Sequence, residues 1–164
     1  MGKGSDSRTT VEQKSERELV VTRTFNAPAR IVFEAWTKPE LFMQWWAPKS
    51  IGVPLQSCEM DVRTGGGYRI AFGHDAASAM AFFGKYLEVI PNARLVWTNE
   101  ESPDAAVTTV TFEEKGDKTL LVLRELYPSK EAFDANRGAE DALPEQFDQL
   151  DALLTTLGGS VGRS

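Results

Sequence analysis

Apolar and polar residues alternate from Glu18 to Phe25, with Leu19, Val21 and Phe25 on one face and Val20, Thr22 and Thr24 on the other, which predicts a strand. It ends at Asn26-Ala27-Pro28, where the fixed φ and missing N–H of proline suit the first turn of a helix. The period then changes. Ile31, Val32, Ala35 and Trp36 form a two-column apolar stripe at helical spacing, and Leu41, Phe42, Trp45 and Trp46 repeat it after Pro39. Two short amphipathic helices in a tight V are predicted, joined at Thr37-Lys38, with Pro48 stopping the second.

From Val53 to Tyr127 the pattern is that of successive antiparallel strands, about Val53 to Asp61, Gly67 to Phe72, Met80 to Ile90, Arg94 to Thr98, Ala106 to Glu114 and Lys118 to Tyr127. Alternation is clean in Tyr68, Ile70 and Phe72, and β-branched residues dominate Val107 to Phe112. Thr64-Gly65-Gly66-Gly67, Pro91-Asn92-Ala93 and Glu114-Lys115-Gly116-Asp117 carry turn chemistry. The glycine run is a turn and not a phosphate loop, because it leads into a strand and lacks a following Lys-Ser/Thr.

Ser129 to Asn136 reads as a short helix capped by Ser129 and broken near Gly138. A last helix begins near Pro144, with Phe147, Leu150, Leu154 and Leu157 at spacings of three, four and three and Leu153 beside them. Hairpins after a helix pair, closed by a helix, give an α+β protein. The chain divides into a polar, flexible tail over residues 1–17, one domain over 18–157, and a glycine-rich flexible tail over 158–164.

At 164 residues, with 41% hydrophobic and 26% charged residues, the chain has the make-up of one ordinary globular domain. A net charge of -6 argues against nucleic acid, whose phosphates call for a basic face. The start lacks the apolar core of a secretory signal and no segment approaches the length of a membrane span, so a soluble cytoplasmic protein is expected. One cysteine, Cys58, excludes an internal disulfide and reads as a small apolar filler in a strand. With one cysteine and one histidine a zinc site is not expected, and without a dinucleotide fingerprint no organic cofactor is expected either. His74, in Gly73-His74-Asp75-Ala76, reads as a solvated loop histidine because no nucleophile pattern accompanies it. No catalytic residue is assigned.

The order of pieces resembles the START-like or birch-pollen-allergen-like superfamily, in its branch related to the activator of the ninety-kilodalton heat-shock chaperone ATPase. The pieces are Phe25-Asn26-Ala27-Pro28, Val32 to Thr37, Pro39-Glu40, Trp45-Trp46-Ala47-Pro48, Asp61 to Gly66, Gly84 to Pro91 and Arg94 to Thr98, and the resemblance covers about Glu18 to Leu157. It implies a helix-grip fold, in which a curved antiparallel sheet wraps around a long C-terminal helix and leaves an apolar cavity between them. Many relatives place a Gly-Trp step just ahead of that helix, where this chain has Leu143-Pro144.

The function that the resemblance implies is non-catalytic binding of a small hydrophobic or amphipathic molecule. A cofactor-independent enzyme like the polyketide cyclases and aromatases is the alternative, and a chaperone-modulating module a third reading. The chain carries no counterpart of the extra N-terminal chaperone-binding domain of the eukaryotic activators, which weighs against a chaperone partner. A homodimer through an exposed strand edge is left open.

Ring size and period place Trp36, Trp45, Trp46, Tyr68, Phe72, Phe82, Tyr86, Trp97, Phe112 and Phe147 as the expected lining, with Tyr86, Trp97 and Phe147 foremost. Arg23 and Arg69 interrupt alternating strands and are candidates to hold a ligand carboxylate. Arg124 and Glu125 are neighbours in a strand and so point to opposite faces, which lets only one of them enter the cavity.

Overall fold

Alternation and turn chemistry give eight strands: β1 (Thr10–Gln13), β2 (Glu18–Phe25), β3 (Leu55–Met60), β4 (Gly67–Phe72), β5 (Met80–Ile90), β6 (Arg94–Thr98), β7 (Val107–Lys115) and β8 (Lys118–Leu126). They pair antiparallel throughout in one sheet of order β1-β2-β8-β7-β6-β5-β4-β3. Between β2 and β3 stand α1 (Ala29–Thr37), α2 (Pro39–Phe42) and a single 3-10 turn (Lys49–Ile51), and after β8 come α3 (Lys130–Ala135) and the long α4 (Leu143–Arg163). The structure is a computed structural model that describes residues 9–47, 49–52, 55–73, 80–100, 105–136 and 143–163. It is α+β in the helix-grip arrangement.

The turn residues act as their chemistry dictates. Asn92 between β5 and β6 has φ 64° and Gly116 between β7 and β8 has φ 69°, left-handed conformations that asparagine and glycine adopt most easily. Ser129 caps α3 by accepting a hydrogen bond from Ala132 N–H at 3.0 Å. Register shifts between Leu55 and Ser57 in β3 and between Tyr86 and Glu88 in β5 mark bulges, which bend their strands. Gly84 is fixed by close approach, since a Cβ there would stand 2.0 Å from the Thr98 carbonyl oxygen.

The core lies between the inner face of the sheet and the helices. Leu19, Val21 and Phe25 of β2, Leu121 and Leu123 of β8, Val110 and Phe112 of β7 and Leu95 of β6 are buried under α1 and α4. From α4, Phe147, Leu150 and Leu154 are buried in this cluster, as their spacing predicts. Leu157 of that stripe is only partly buried.

Three expectations are corrected. Residues 10–13, assigned to a flexible tail, form the edge strand β1 on β2. Their side chains are all exposed, so the strand is held by main-chain pairing, which leaves no mark in hydropathy. The second helix ends at Phe42, and Trp45 and Trp46 lie in the turn that follows, where α4 side chains satisfy their carbonyls. The backbone of α4 also continues to Arg163, through most of the expected C-terminal tail. Pro48 and His74 lie outside the described residues.

Phe147 is fully buried, 5.7 Å from the Phe25 ring and 6.2 Å from that of Trp36. Its replacement by alanine should cost about 3–5 kcal/mol. Leu157→Ala should cost clearly less, and the two midpoints in urea unfolding check the difference.

Candidate ligand-binding site

Strand register sets the rows of the inner face. One row runs Tyr86, Trp97, Thr108, Glu125 and Leu19 across β5, β6, β7, β8 and β2. A second runs Val89, Leu95, Val110, Leu123 and Val21. The bulge at Tyr86/Glu88 keeps both Tyr86 and Val89 facing inward despite their odd spacing.

Burial divides this face into two halves. On the β2, β8 and β7 side Leu19, Val21, Leu121, Leu123, Val110 and Phe112 are sealed. On the β3, β4 and β5 side Leu55, Cys58, Met60 and Phe72 pack on the core but are only partly buried, and so is Trp97. Phe82, opposite Ile70 on that same face, is 37% exposed. The cause is the placement of α4, which comes closest to α1 and β2 and presents the partly buried Leu153 and Leu157 beyond its buried stripe. The result is an apolar and aromatic wall that the helix does not close.

Behind this wall is an aromatic cluster. The Trp36 ring lies 4.8 Å from Trp45, 6.1 Å from Trp46, 5.9 Å from Trp97, 6.3 Å from Phe112 and 6.2 Å from Phe147. Trp45 Nε1 donates to the Ala35 carbonyl at 2.9 Å. Trp36 Nε1 is equally buried and finds no acceptor among the described residues, a deficit of about 1–3 kcal/mol for such a group.

Polar groups fasten the frame around the wall. Gln149 Nε2 donates to the carbonyls of Trp45 and Ala47 at 2.9 Å each, its Oε1 accepts from Lys49 N–H at 2.9 Å, and Gln146 donates to the Trp46 carbonyl. Glu145 accepts from both the N–H and the hydroxyl of Ser50. These bonds, the hydroxyl one first, hold the Glu145 carboxyl below the ordinary glutamate value of 4.5. Farther along, Tyr68 OH donates to the Thr98 carbonyl (2.8 Å) and lies 3.1 Å from Asn99 Oδ1, while Asn99 Nδ2 donates to Thr108 Oγ1 at 3.0 Å.

Arg23 is on the inner face with both terminal nitrogens engaged, while its buried Nε has no partner among the described residues. Its side chain is 3% exposed, with Nη1 donating to Asp148 at 2.6 Å and to Thr9 Oγ1 at 3.1 Å, and Nη2 at 3.5 Å from Asp151. Its guanidinium also stands 5.3 Å from the Phe25 ring. The pairing joins β2 to α4 and accounts for an arginine at an apolar position of the alternation.

The expected lining residues therefore separate. Phe72, Phe82, Trp97 and Trp46 lie at the partly open surface; Trp45, Phe112 and Phe147 are packed inside; Tyr68 and Tyr86 are buried beside the open half. Arg69 is exposed, on the face of β4 opposite Tyr68 and Ile70. Of the strand pair, Glu125 faces inward with Tyr127 OH donating to it at 3.3 Å, and Arg124 is exposed. Leu55 and Met60 belong to the wall without having been expected there, and Leu153 and Leu157 of α4 are likewise packed on the core and only partly buried. Met60 two residues from Cys58, and Leu153 four from Leu157, carried that signal in their spacing. Cys58 faces the same space, and burial, aided by the Glu59 charge, pushes its thiol up to about 11.

An antiparallel sheet holding a long C-terminal helix, with an unsealed apolar wall between them, defines the helix-grip class. Residues 26–155 match the family described as "Activator of Hsp90 ATPase homolog 1-like protein", and the chain belongs to that family. A crystal structure of a Rhodobacter sphaeroides protein superposes with a TM-score of 0.81 at 22% identity, over 91% of this chain and 99% of that one. A solution structure from Staphylococcus epidermidis gives 0.72 at 26% identity, over 90% and 94%. The AHSA1-like protein of Aeromonas hydrophila gives 0.64 at 16%, over 81% and 92%. A search of curated proteins finds no match. Among the described residues no helix is long and apolar enough to cross a membrane, and no group of side chains is placed to hold a metal ion.

Two tests follow from the polar frame. Asp148 is largely exposed and returns to water if Arg23 is removed, whereas removing the acids leaves a buried guanidinium. Replacing both Asp148 and Asp151 by alanine should therefore cost about 3 kcal/mol or more, and Arg23→Met about 1 kcal/mol or less, in urea unfolding. The lowered Glu145 value means that its contribution is complete above the ordinary glutamate value and is lost as pH falls through the lower folded one. Glu145→Gln should reduce the loss of stability between pH 5 and more acid solution, read from melting temperatures across that range.

Proposed function

We propose that the protein binds a small hydrophobic or amphipathic molecule between the β3, β4 and β5 side of the sheet and the second half of α4. The observation that carries this reading is the division of one inner face into a sealed half and a half whose large apolar side chains stay partly exposed. Apolar surface held open in this way gains free energy when a ligand removes it from water. A mainly apolar wall with a few polar groups at its margin is also the usual make-up of a small-molecule site. Binding is favoured over a cyclase-like turnover because Tyr68, Asn99 and Thr108 direct their hydrogen bonds at one another and at the backbone. A chaperone-modulating role has no comparable feature in its support.

An apolar naphthalene probe or a fatty acid should saturate with micromolar affinity and change tryptophan emission, with Trp97 as the principal reporter. Phe82→Ala should weaken the binding about tenfold, from the loss of ring burial, and Arg69→Ala should leave it unchanged. At pH 8 a thiol titrating near 11 is about one part in a thousand thiolate, so Cys58 should alkylate slowly, and more slowly with ligand present. A panel of fatty acids, sterols and aromatic polyketide-like compounds that gave no saturable signal would end this reading.

A further inference from the structure

Among the described residues the indole N–H of Trp36 is a hydrogen-bond donor without an acceptor, in a residue that is 1% exposed. Buried donors are almost always paired, so an orphan of this kind calls for a partner. The three carbonyls that precede Trp36 in α1 serve others: that of Phe33 accepts from the Thr37 hydroxyl, that of Glu34 from Lys38 N–H and that of Ala35 from Trp45 Nε1. The surrounding rings offer no strong acceptor. Two of them, Trp46 and Trp97, belong to the partly exposed wall and stand 6.1 and 5.9 Å from Trp36. Trp36 thus borders rings of the unsealed half as well as those of the sealed core.

The charge pattern of that half narrows the chemistry. Among the described residues, the inward positions of β3 to β6 are apolar or aromatic apart from the Tyr68 and Tyr86 hydroxyls, and Arg69 and Lys85 lie at exposed positions. Arg23 is on β2, beyond β6, β7 and β8 from β5, and its charge is already balanced by Asp148 and Asp151. A carboxylate buried against Trp36 would be desolvated without a countercharge, which is costly. A neutral acceptor meets no such penalty, and the exposed rings favour a flat apolar body.

We propose that Trp36 Nε1 holds a neutral acceptor oxygen or ring nitrogen of the ligand, so that the site selects a flat, largely aromatic molecule bearing a carbonyl or similar group over a hydrocarbon of the same shape. The assignment rests on the binding reading above and adds the polar end of the ligand to it. Trp36 is its specificity-determining residue.

The test uses a naphthyl methyl ketone and the isopropyl naphthalene of matching shape, each titrated into the full chain and into Trp36→Phe, which keeps a ring and removes the donor. The preference for the ketone, taken as the ratio of the two dissociation constants, should fall about fivefold in the variant, the worth of one neutral hydrogen bond. In nitrogen-correlated proton spectra of the wild-type chain, the Trp36 indole resonance should move downfield with the ketone and not with the hydrocarbon. That resonance is assigned by its absence in Trp36→Phe or, should that variant not fold, by elimination with Trp45→Phe, Trp46→Phe and Trp97→Phe. If both compounds bind and the Trp36 resonance responds alike to each, or the ratio is unchanged in the variant, the assignment is overturned while the binding reading stands. If neither compound nor any other in the panel binds, both are overturned.

Discussion

The indole of Trp36 meets rings from four separate parts of the chain: Trp45 and Trp46 in the turn after α2, Trp97 on β6, Phe112 on β7 and Phe147 on α4. Contacts between these segments form only when the helix pair, the sheet and the last helix are all in place. Aromatic pairs at such separations add about 0.5–1.5 kcal/mol each beyond the area they bury. The ring therefore works as a spacer. It sets how near α4 can come to β6 and β7, and with that how much of the sheet the helix can cover.

The spacing has unequal consequences for the two ends of α4. Its first half is fixed by Phe147 and Leu150 in the core, by the Arg23 pairing, and by Glu145, Gln146 and Gln149 fastening the turn from Trp45 to Ser50. Its second half carries Leu153 and Leu157, which pack on the core and are only partly buried. Local stability follows buried apolar contact, so the second half is the end that gives way most easily.

The polar groups inside the sheet fall into two kinds. The terminal nitrogens of Arg23 and the Tyr68, Asn99 and Thr108 set are matched within the protein and act as fasteners. Among the described residues two buried donors are left without a partner, Arg23 Nε, on a guanidinium whose terminal nitrogens are engaged, and Trp36 Nε1. Reorienting the Trp36 indole would disturb five ring contacts at once.

Period-two and period-3.6 patterns determined most of the architecture, because burial on one face leaves a trace in every second or every third and fourth residue. Glu18 to Phe25, Tyr68 to Phe72, Val107 to Phe112 and the stripe through Leu154 were legible for that reason, as were the turns at Asn92 and Gly116. The β1 edge was not, since main-chain pairing with exposed side chains leaves no such trace. Nor did pattern say which rings stay partly exposed. Phe147 and Trp97 are each a large ring on the apolar face of its element, yet one is fully buried where α4 meets the core and the other is only partly buried. That difference depends on where a helix from the far end of the chain comes to rest against the sheet. The same holds for Arg23, whose letter suggested a ligand contact and whose partners, Asp148 and Asp151, are more than a hundred residues away and reach it only through tertiary packing.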